Sequence, residues 1–80
     1  MAVLRLFAAA REAAGTGRDV VAGATVGDVL DAAVARYGEP FERVLVRCKV
    51  WRNGEEAARD EPVTDADEVA VLPPVSGGFR

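Results

Sequence analysis

The stretch TVGDVLDAAVARY, from Thr25 to Tyr37, predicts one amphipathic helix against which the rest of the chain must pack. Thr25 is a good N-cap, and Asp28 three positions later completes an approximate capping box. Gly38 is expected to end the helix and Pro40 to prevent its restart. The apolar positions recur at the spacing of one buried stripe: Val26, Val29, Leu30, Ala33, Val34 and Tyr37.

Strand-like alternation flanks this helix on both sides. The segment Ala2–Phe7 places Ala2, Leu4 and Leu6 on one face and Val3, Arg5 and Phe7 on the other. Glu68–Leu72 alternates in the same way, with Val69 and Val71 on one face. Shorter elements are expected as a helix over Ala8–Ala14 and strands over Arg18–Ala22, Arg47–Arg52 and Glu55–Ala58, the last two joined by an Asn53-Gly54 turn. Phe41–Val46 fits either a helical turn or the start of a strand.

The order β, β, α, β, β, β predicts an α+β fold in which a mixed sheet packs on one main helix. It becomes a ubiquitin-like β-grasp if the first and last strands lie side by side in the centre of the sheet. Periodicity alone does not choose this over another small α+β roll. The expected organisation is a domain over residues 1–72 and an extended C-terminal tail over residues 73–80.

Composition excludes several classes of function. The chain has 80 residues, too few for a multidomain enzyme, and its net charge of −3 comes without a basic stripe, which argues against a nucleic-acid partner. There is no histidine and a single cysteine, so no metal site is expected. The absence of a long apolar run or a targeting segment predicts a cytoplasmic protein without membrane contact.

The segment Pro73-Pro74-Val75-Ser76-Gly77-Gly78 has the composition of a projecting arm. Two prolines stiffen its base, while glycines without a Cβ let its tip enter a narrow channel. Six extended residues reach roughly 20 Å. A carboxylate at the end of such an arm is suited to activation as an acyl-adenylate and transfer to a sulfur donor. A frayed terminus is the alternative, and the Gly-Gly pair alone does not decide between them.

The sheet face away from the helix is expected to carry an apolar cluster formed by Val3, Phe7, Trp51 and Leu72. Exposed aromatic clusters of this kind mark binding sites. Cover by loops or self-association explains the pattern equally well. Cys48 is interpreted as a small buried apolar residue rather than a sulfur relay. Asp65, Asp67 and Glu68 are interpreted as turn residues rather than metal ligands.

Three segments together resemble the small subunit of molybdopterin synthase, the MoaD-type family. Leu6-Phe7-Ala8-Ala9-Ala10-Arg11-Glu12-Ala13-Ala14-Gly15 resembles the family's opening F-A-x-x-R-E-x-x-G. Val50-Trp51-Arg52-Asn53-Gly54-Glu55 is similar to its V-x-x-N-G-E hairpin. The segment from Val63 to Gly78, VTDADEVAVLPPVSGG, resembles its closing L-x-D-G-D-E-V-A-x-x-P-P-V-x-G-G.

The resemblance implies a ubiquitin-like β-grasp sulfur carrier that is non-catalytic alone and donates sulfur as a subunit of molybdopterin synthase. In that family an E1-like adenylyltransferase uses ATP to activate the terminal glycine, which becomes a thiocarboxylate; the carrier itself binds no cofactor. The synthase large subunit then accepts the tail, and sulfur passes to precursor Z during molybdenum cofactor biosynthesis. By position, Gly78 bears the sulfur and Gly77 precedes it in the channel. Phe7, Arg11 and Leu72 match partner-contacting positions, and Trp51 joins them from the face pattern.

The sequence departs from the family pattern after Gly78, where Phe79 and Arg80 follow. Gly78 then has no free carboxylate, so no acyl-adenylate can form on it. Removal of the dipeptide by a processing protease is the favoured explanation; regulated trimming and loss of the activity are the others. Two alternative functions stay open: sulfur carriage for another pathway, such as thiamine, cysteine or a thio-containing natural product, and ubiquitin-like modification of target lysines.

Overall fold

The computed structural model describes residues 1–74, which form five strands and three helices. In chain order the elements are β1 (Ala2–Leu6), α1 (Ala8–Ala14), β2 (Arg18–Val21), α2 (Val26–Tyr37), α3 (Glu39–Leu45), β3 (Lys49–Arg52), β4 (Glu55–Glu56) and β5 (Glu68–Leu72). The main helix and the first and last strands lie where the sequence predicts them.

The five strands form one mixed sheet in the order β2-β1-β5-β3-β4. β1 and β5 are parallel neighbours in the centre, with Leu4 opposite Val69, and every other pairing is antiparallel. This is the strand arrangement that distinguishes the β-grasp from other small α+β rolls, so the predicted fold is confirmed. It also means that the chain leaves the domain from the middle of the sheet.

The alternation of the central strands sorts their side chains between the core and the opposite face. Leu4, Val69 and Val71 are fully buried against the apolar stripe of α2, in which Val26 and Val29 are also fully buried. The N-terminus of α2 is closed as expected. The Asp28 amide donates to the Thr25 hydroxyl at 3.1 Å, and the Ala24 amide donates to the Asp28 carboxylate at 3.2 Å.

The expectation that Pro40 prevents a helix restart is wrong. A new helix, α3, begins at Glu39 directly after Gly38, and Pro40 lies in its first turn. Proline is tolerated there because first-turn N–H groups have no intrahelical acceptor. α3 resolves the ambiguity of the Phe41–Val46 segment. Phe41 is fully buried and packs edge-on against the Tyr37 ring at a centroid distance of 5.2 Å.

The third strand begins at Lys49 rather than Arg47, because the turns that follow α3 continue through Cys48. Cys48 is therefore not a strand residue, and it is half-buried rather than buried. The strand after the hairpin ends at Glu56, two residues earlier than expected. The hairpin itself is confirmed: Asn53 and Gly54 have φ values of 53° and 87°, the left-handed pair that this turn requires.

The acidic turn before β5 is held by the hairpin, as its interpretation as a structural turn predicts. The Asn53 side chain donates to Asp67 at 2.8 Å and accepts from the Glu68 amide at 2.8 Å. Asp67 also accepts from the Thr64 amide at 2.7 Å. The Asn53 hydrogen bond, followed by the Thr64 amide, lowers the pKa of the Asp67 carboxyl below its ordinary value.

A second polar cluster ties β2 to the end of α2. Asp19 accepts hydrogen bonds from the Tyr37 hydroxyl at 2.5 Å and from Arg36 at 2.8 Å. The Tyr37 hydrogen bond and then Arg36 lower the pKa of Asp19 to about 2. Burial and then the Asp19 contact raise the pKa of Tyr37 to about 12.

Candidate partner-docking site

The sheet face opposite α2 carries no helix among residues 1–74, and a row of side chains crosses it. The register aligns Arg5 with Ala70 and Ala70 with Trp51, while Arg18 and Glu56 continue the row on the outer strands. These positions have the opposite alternation from the buried central residues. The small Ala70 side chain lies between the two larger central side chains, Arg5 and Trp51.

An apolar groove lies at the end of this face where the chain leaves β5. It has a volume of about 300 Å³ and is lined by Lys49, Trp51, Leu72, Pro73 and Pro74; we call it the indole groove. Lys49 is opposite Leu72 in the β3–β5 register, and its ammonium group lies 3.3 Å from the Glu56 carboxylate. The structure therefore brings two predicted contact residues, Trp51 and Leu72, to the base of the tail.

Phe7 lies beyond the end of the strand in which the sequence placed it. It has the extended backbone of the N-cap of α1, and its amide donates to the Val71 carbonyl at 3.3 Å. The ring is 38% exposed, and the Arg5 guanidinium lies 5.6 Å from its centroid. This is a cation–π contact at the open face. The predicted apolar cluster is thus interrupted by Arg5.

Arg11 is exposed on α1, and its side chain packs over Gly17 in the loop before β2. A Cβ at Gly17 would approach the Arg11 side chain to 3.3 Å, so the backbone there leaves room for the arginine. Arg11 is not among the residues that line the indole groove. Arg11 is therefore not part of the groove that joins Trp51 and Leu72.

A second groove on the other side of the two prolines was not predicted from the sequence. It has a volume of about 380 Å³. Its lining consists of Ala9, Arg43, Val44, Arg47, Pro73 and Pro74; we call it the tail-root groove. Arg43 lies in the last turn of α3 and Arg47 in the turn that follows. Residues four positions apart are neighbours on a helix surface. The spacing of Arg43 and Arg47 therefore predicts that they lie close together only if residues 39–45 are known to be helical.

Cys48 lies on the helix side of the sheet, away from Trp51. It lines a groove with α2 residues, including Leu30 and Val34, and its thiol donates to the Val44 carbonyl at 3.2 Å. Burial raises the pKa of the Cys48 thiol above its ordinary value. That Cys48 takes no part in sulfur relay stays a prediction. Gly77, Gly78, Phe79 and Arg80, on which the tail predictions rest, lie outside the described residues.

The family model that describes the ThiS family matches residues 4–78 of this chain. The chain belongs to the ThiS family. The sequence-based assignment to the ubiquitin-like sulfur carriers is thereby confirmed at the level of the family. The match extends through Gly78 and ends before Phe79 and Arg80.

Relatives of this ThiS-family chain agree with its fold. This chain is 41% identical to small archaeal modifier protein 1 of Haloferax volcanii, over 92% of this chain and 97% of the relative. The solution structure of small archaeal modifier protein 1 from Methanosarcina acetivorans is 29% identical, with a TM-score of 0.86 over 96% of this chain and 95% of that one. A putative molybdopterin converting factor subunit 1 from Pyrococcus furiosus is 27% identical, with a TM-score of 0.78 over 92% and 97%.

Within residues 1–74, the ThiS-family domain holds no group of three or more acidic or cysteine side chains placed to bind a metal ion. Over the same residues, no helix has the length and apolar character needed to cross a bilayer.

Proposed function

We propose that this protein is a sulfur carrier whose Gly78 is activated by an E1-like enzyme and delivers sulfur as the small subunit of a molybdopterin synthase. The observation that carries the proposal is the exit of the chain from the central strand, directly between two grooves. Pro73 and Pro74, which follow β5, line both grooves beside the open face. A partner that binds the open face is therefore proposed to contact the base of the tail.

The proposed chemistry begins with hydrolysis of the Gly78–Phe79 peptide bond by a processing protease, which frees the Gly78 carboxylate. That carboxylate attacks the α-phosphorus of ATP in the activating enzyme, forming an acyl-adenylate and releasing pyrophosphate. Hydrosulfide supplied by a sulfur donor then attacks the acyl carbon, displaces AMP and leaves a thiocarboxylate on Gly78. The carrier binds no cofactor in this scheme, because the ATP is held by its partner.

The acceptor of the sulfur is proposed to be precursor Z, bound in the large subunit of molybdopterin synthase. Support comes from the resemblance of the opening, hairpin and closing segments and from the fold shared with the Pyrococcus furiosus protein. Each thiocarboxylate that gives up its sulfur returns a Gly78 carboxylate to the cycle, so repeated activation supplies both sulfurs of the dithiolene.

The candidate site residues have different proposed roles. Trp51 and Leu72 form the apolar contact at the base of the tail, and Phe7 extends the contact along the open face. Arg11 lies outside the indole groove and is proposed to meet a separate part of the partner surface. Gly77 is proposed to pass through the narrow part of the channel because it lacks a Cβ.

Protein modification is a second candidate, favoured by the 41% identity to a protein named as a small archaeal modifier. Activation of Gly78 is common to both functions. The step that differs is the acceptor, since modification transfers the Gly78 acyl group to a lysine amine, while sulfur carriage transfers only sulfur and returns the carboxylate.

Reconstitution distinguishes the two. The chain ending at Gly78 is loaded as the thiocarboxylate and mixed with a molybdopterin synthase large subunit and precursor Z. Sulfur carriage predicts conversion to molybdopterin and recovery of the unconjugated carboxylate form. Lysine isopeptides of Gly78 in digests of host protein, without precursor conversion, contradict the synthase role and support modification.

A further inference from the structure

We propose that the tail-root groove is a docking site for an acidic segment of the E1-like activating enzyme. The inference rests on the proposed function, because it assigns the partner surface beside the tail channel. It concerns the α3 side of Pro73 and Pro74, whereas the indole groove lies on their other side. Because Pro73 and Pro74 line both grooves, a partner that fills both grooves contacts the base of the tail on two sides.

The residues of the tail-root groove define the chemistry of its occupant. Ala9, Val44 and the two prolines supply apolar surface, while Arg43 and Arg47 supply positive charge. Guanidinium groups pair with carboxylates through two parallel hydrogen bonds. A complementary segment therefore combines carboxylates with an apolar side chain that enters the groove.

Charge is distributed unevenly along β5, although the whole protein has a net charge of −3. Asp65 and Asp67 lie in the turn that precedes β5, and Glu68 is its first residue. The end of β5 lies beside Arg43 and Arg47, and beside Lys49, which is paired with Glu56. A negatively charged partner is thus attracted to the tail end and repelled from the opposite end.

The two arginines of the tail-root groove are available for a partner. Arg43 contacts Glu39 at 2.9 Å, but both side chains are at least 70% exposed, and such a pair is easily exchanged. Arg47 makes no ion pair within 4 Å among residues 1–74. Glu42, the other acidic residue of α3, does not line the tail-root groove but the separate groove that contains Cys48.

The test measures binding of the full chain to the E1-like activating enzyme of the same organism, by stopped-flow fluorescence at several ionic strengths. Arg43→Ala with Arg47→Ala changes the net charge from −3 to −3 − 2 = −5. The matched control is Ala22→Glu with Ala66→Glu, two exposed positions at the opposite end of the sheet, which also gives −3 − 2 = −5. Arg43→Lys with Arg47→Lys retains the charge but not the bidentate geometry.

The arginine removal is expected to slow association about tenfold at low salt and to flatten its salt dependence, while the acidic control changes it by less than about twofold. The lysine pair is expected to retain the association rate but to dissociate faster. Equal effects of the arginine variant and the acidic control, no effect of the arginine variant, or no binding of the unmodified chain would overturn the inference. Normal binding without pyrophosphate release, measured on the chain ending at Gly78, would overturn the proposed function alone.

Discussion

Trp51 lies directly opposite Ala70 in the antiparallel register of β3 and β5, on the sheet face that no helix covers within residues 1–74. The small alanine beside the indole lies on the strand that carries the tail. An aromatic side chain at the centre of a docking surface is the typical position of an energetic hot spot. The Trp51–Ala70 pair therefore places the proposed apolar contact with the partner beside β5, the strand that leads into the tail.

Trp51→Ala is expected to weaken binding of the large subunit about tenfold or more, because it removes the largest side chain of the indole groove. Phe7→Ala is expected to have a smaller effect in the same direction. Isothermal titration calorimetry measures both. Val46→Ala, at an exposed position beside the groove that contains Cys48 and away from the open face, is the matched control. Unchanged affinity of Trp51→Ala in a folded protein would exclude the open face as the docking site.

Phe41→Ala is expected to destabilise the protein by about 3 kcal/mol or more, since it removes a fully buried ring from the contact between α2 and α3. Because α3 carries Arg43, loosening it also disturbs the tail-root groove. Urea unfolding followed by circular dichroism gives the free energy of unfolding. Phe41→Leu keeps most of the apolar volume and should cost clearly less; equal losses would argue against tight packing at this position.

The Asp19–Tyr37 hydrogen bond predicts a pH dependence of stability. The folded-state pKa of Asp19 is about 2, below its ordinary value of 3.8, so its contribution is complete above about pH 4 and is lost as the pH falls towards 2. Tyr37 has the opposite sign: its pKa of about 12 lies above 10.0, so its contribution is lost as the pH rises from 10 to 12.

Tyr37→Phe is expected to lower the free energy of unfolding at pH 7 by about 1 kcal/mol, since it removes a hydrogen bond to a charged group that is partly open to solvent. It should also flatten the pH dependence at both extremes. Denaturant titrations at several pH values test this. An unaltered slope between pH 4 and 2 in the variant would show that Asp19 is not held by Tyr37.

Sequence patterns predicted the elements whose apolar spacing is regular. The stripe of α2 and the alternation of β1 and β5 specify their buried faces without ambiguity, and Asn53-Gly54 specifies the hairpin turn. The segment from Glu39 to Cys48 was harder. The position of α3 depends on the burial of a single ring, that of Phe41. A proline such as Pro40 is compatible both with the end of one helix and with the first turn of the next.

The candidate site was predicted only where the alternation of a strand applies. Alternation placed Trp51 and Leu72 on the open face, and the structure joins them in one groove. Alternation also placed Phe7 on that face, where the ring contacts Arg5, but it did not place Arg11, which lies in α1, where the period of two no longer applies. The tail-root groove combines α1, the end of α3 and the two prolines, and no local pattern links those segments.

Cys48 provides a test of the sulfur route. Because burial raises the pKa of its thiol and the residue lies on the helix side of the sheet, Cys48→Ser is expected to leave thiocarboxylate formation on Gly78 unchanged. The yield is measured by intact mass spectrometry. Iodoacetamide should also alkylate Cys48 more slowly in the folded than in the unfolded chain. A severe loss of thiocarboxylate in a folded Cys48→Ser variant would assign the thiol a relay role.

The most direct test of the central claim is the release of pyrophosphate when the chain ending at Gly78 is mixed with ATP and its activating enzyme. Stoichiometric release is expected, followed by replacement of one carboxylate oxygen by sulfur when a sulfur donor is added. The full chain ending at Arg80 should release none. No release from the shortened chain, or equal release from both chains, would contradict the account.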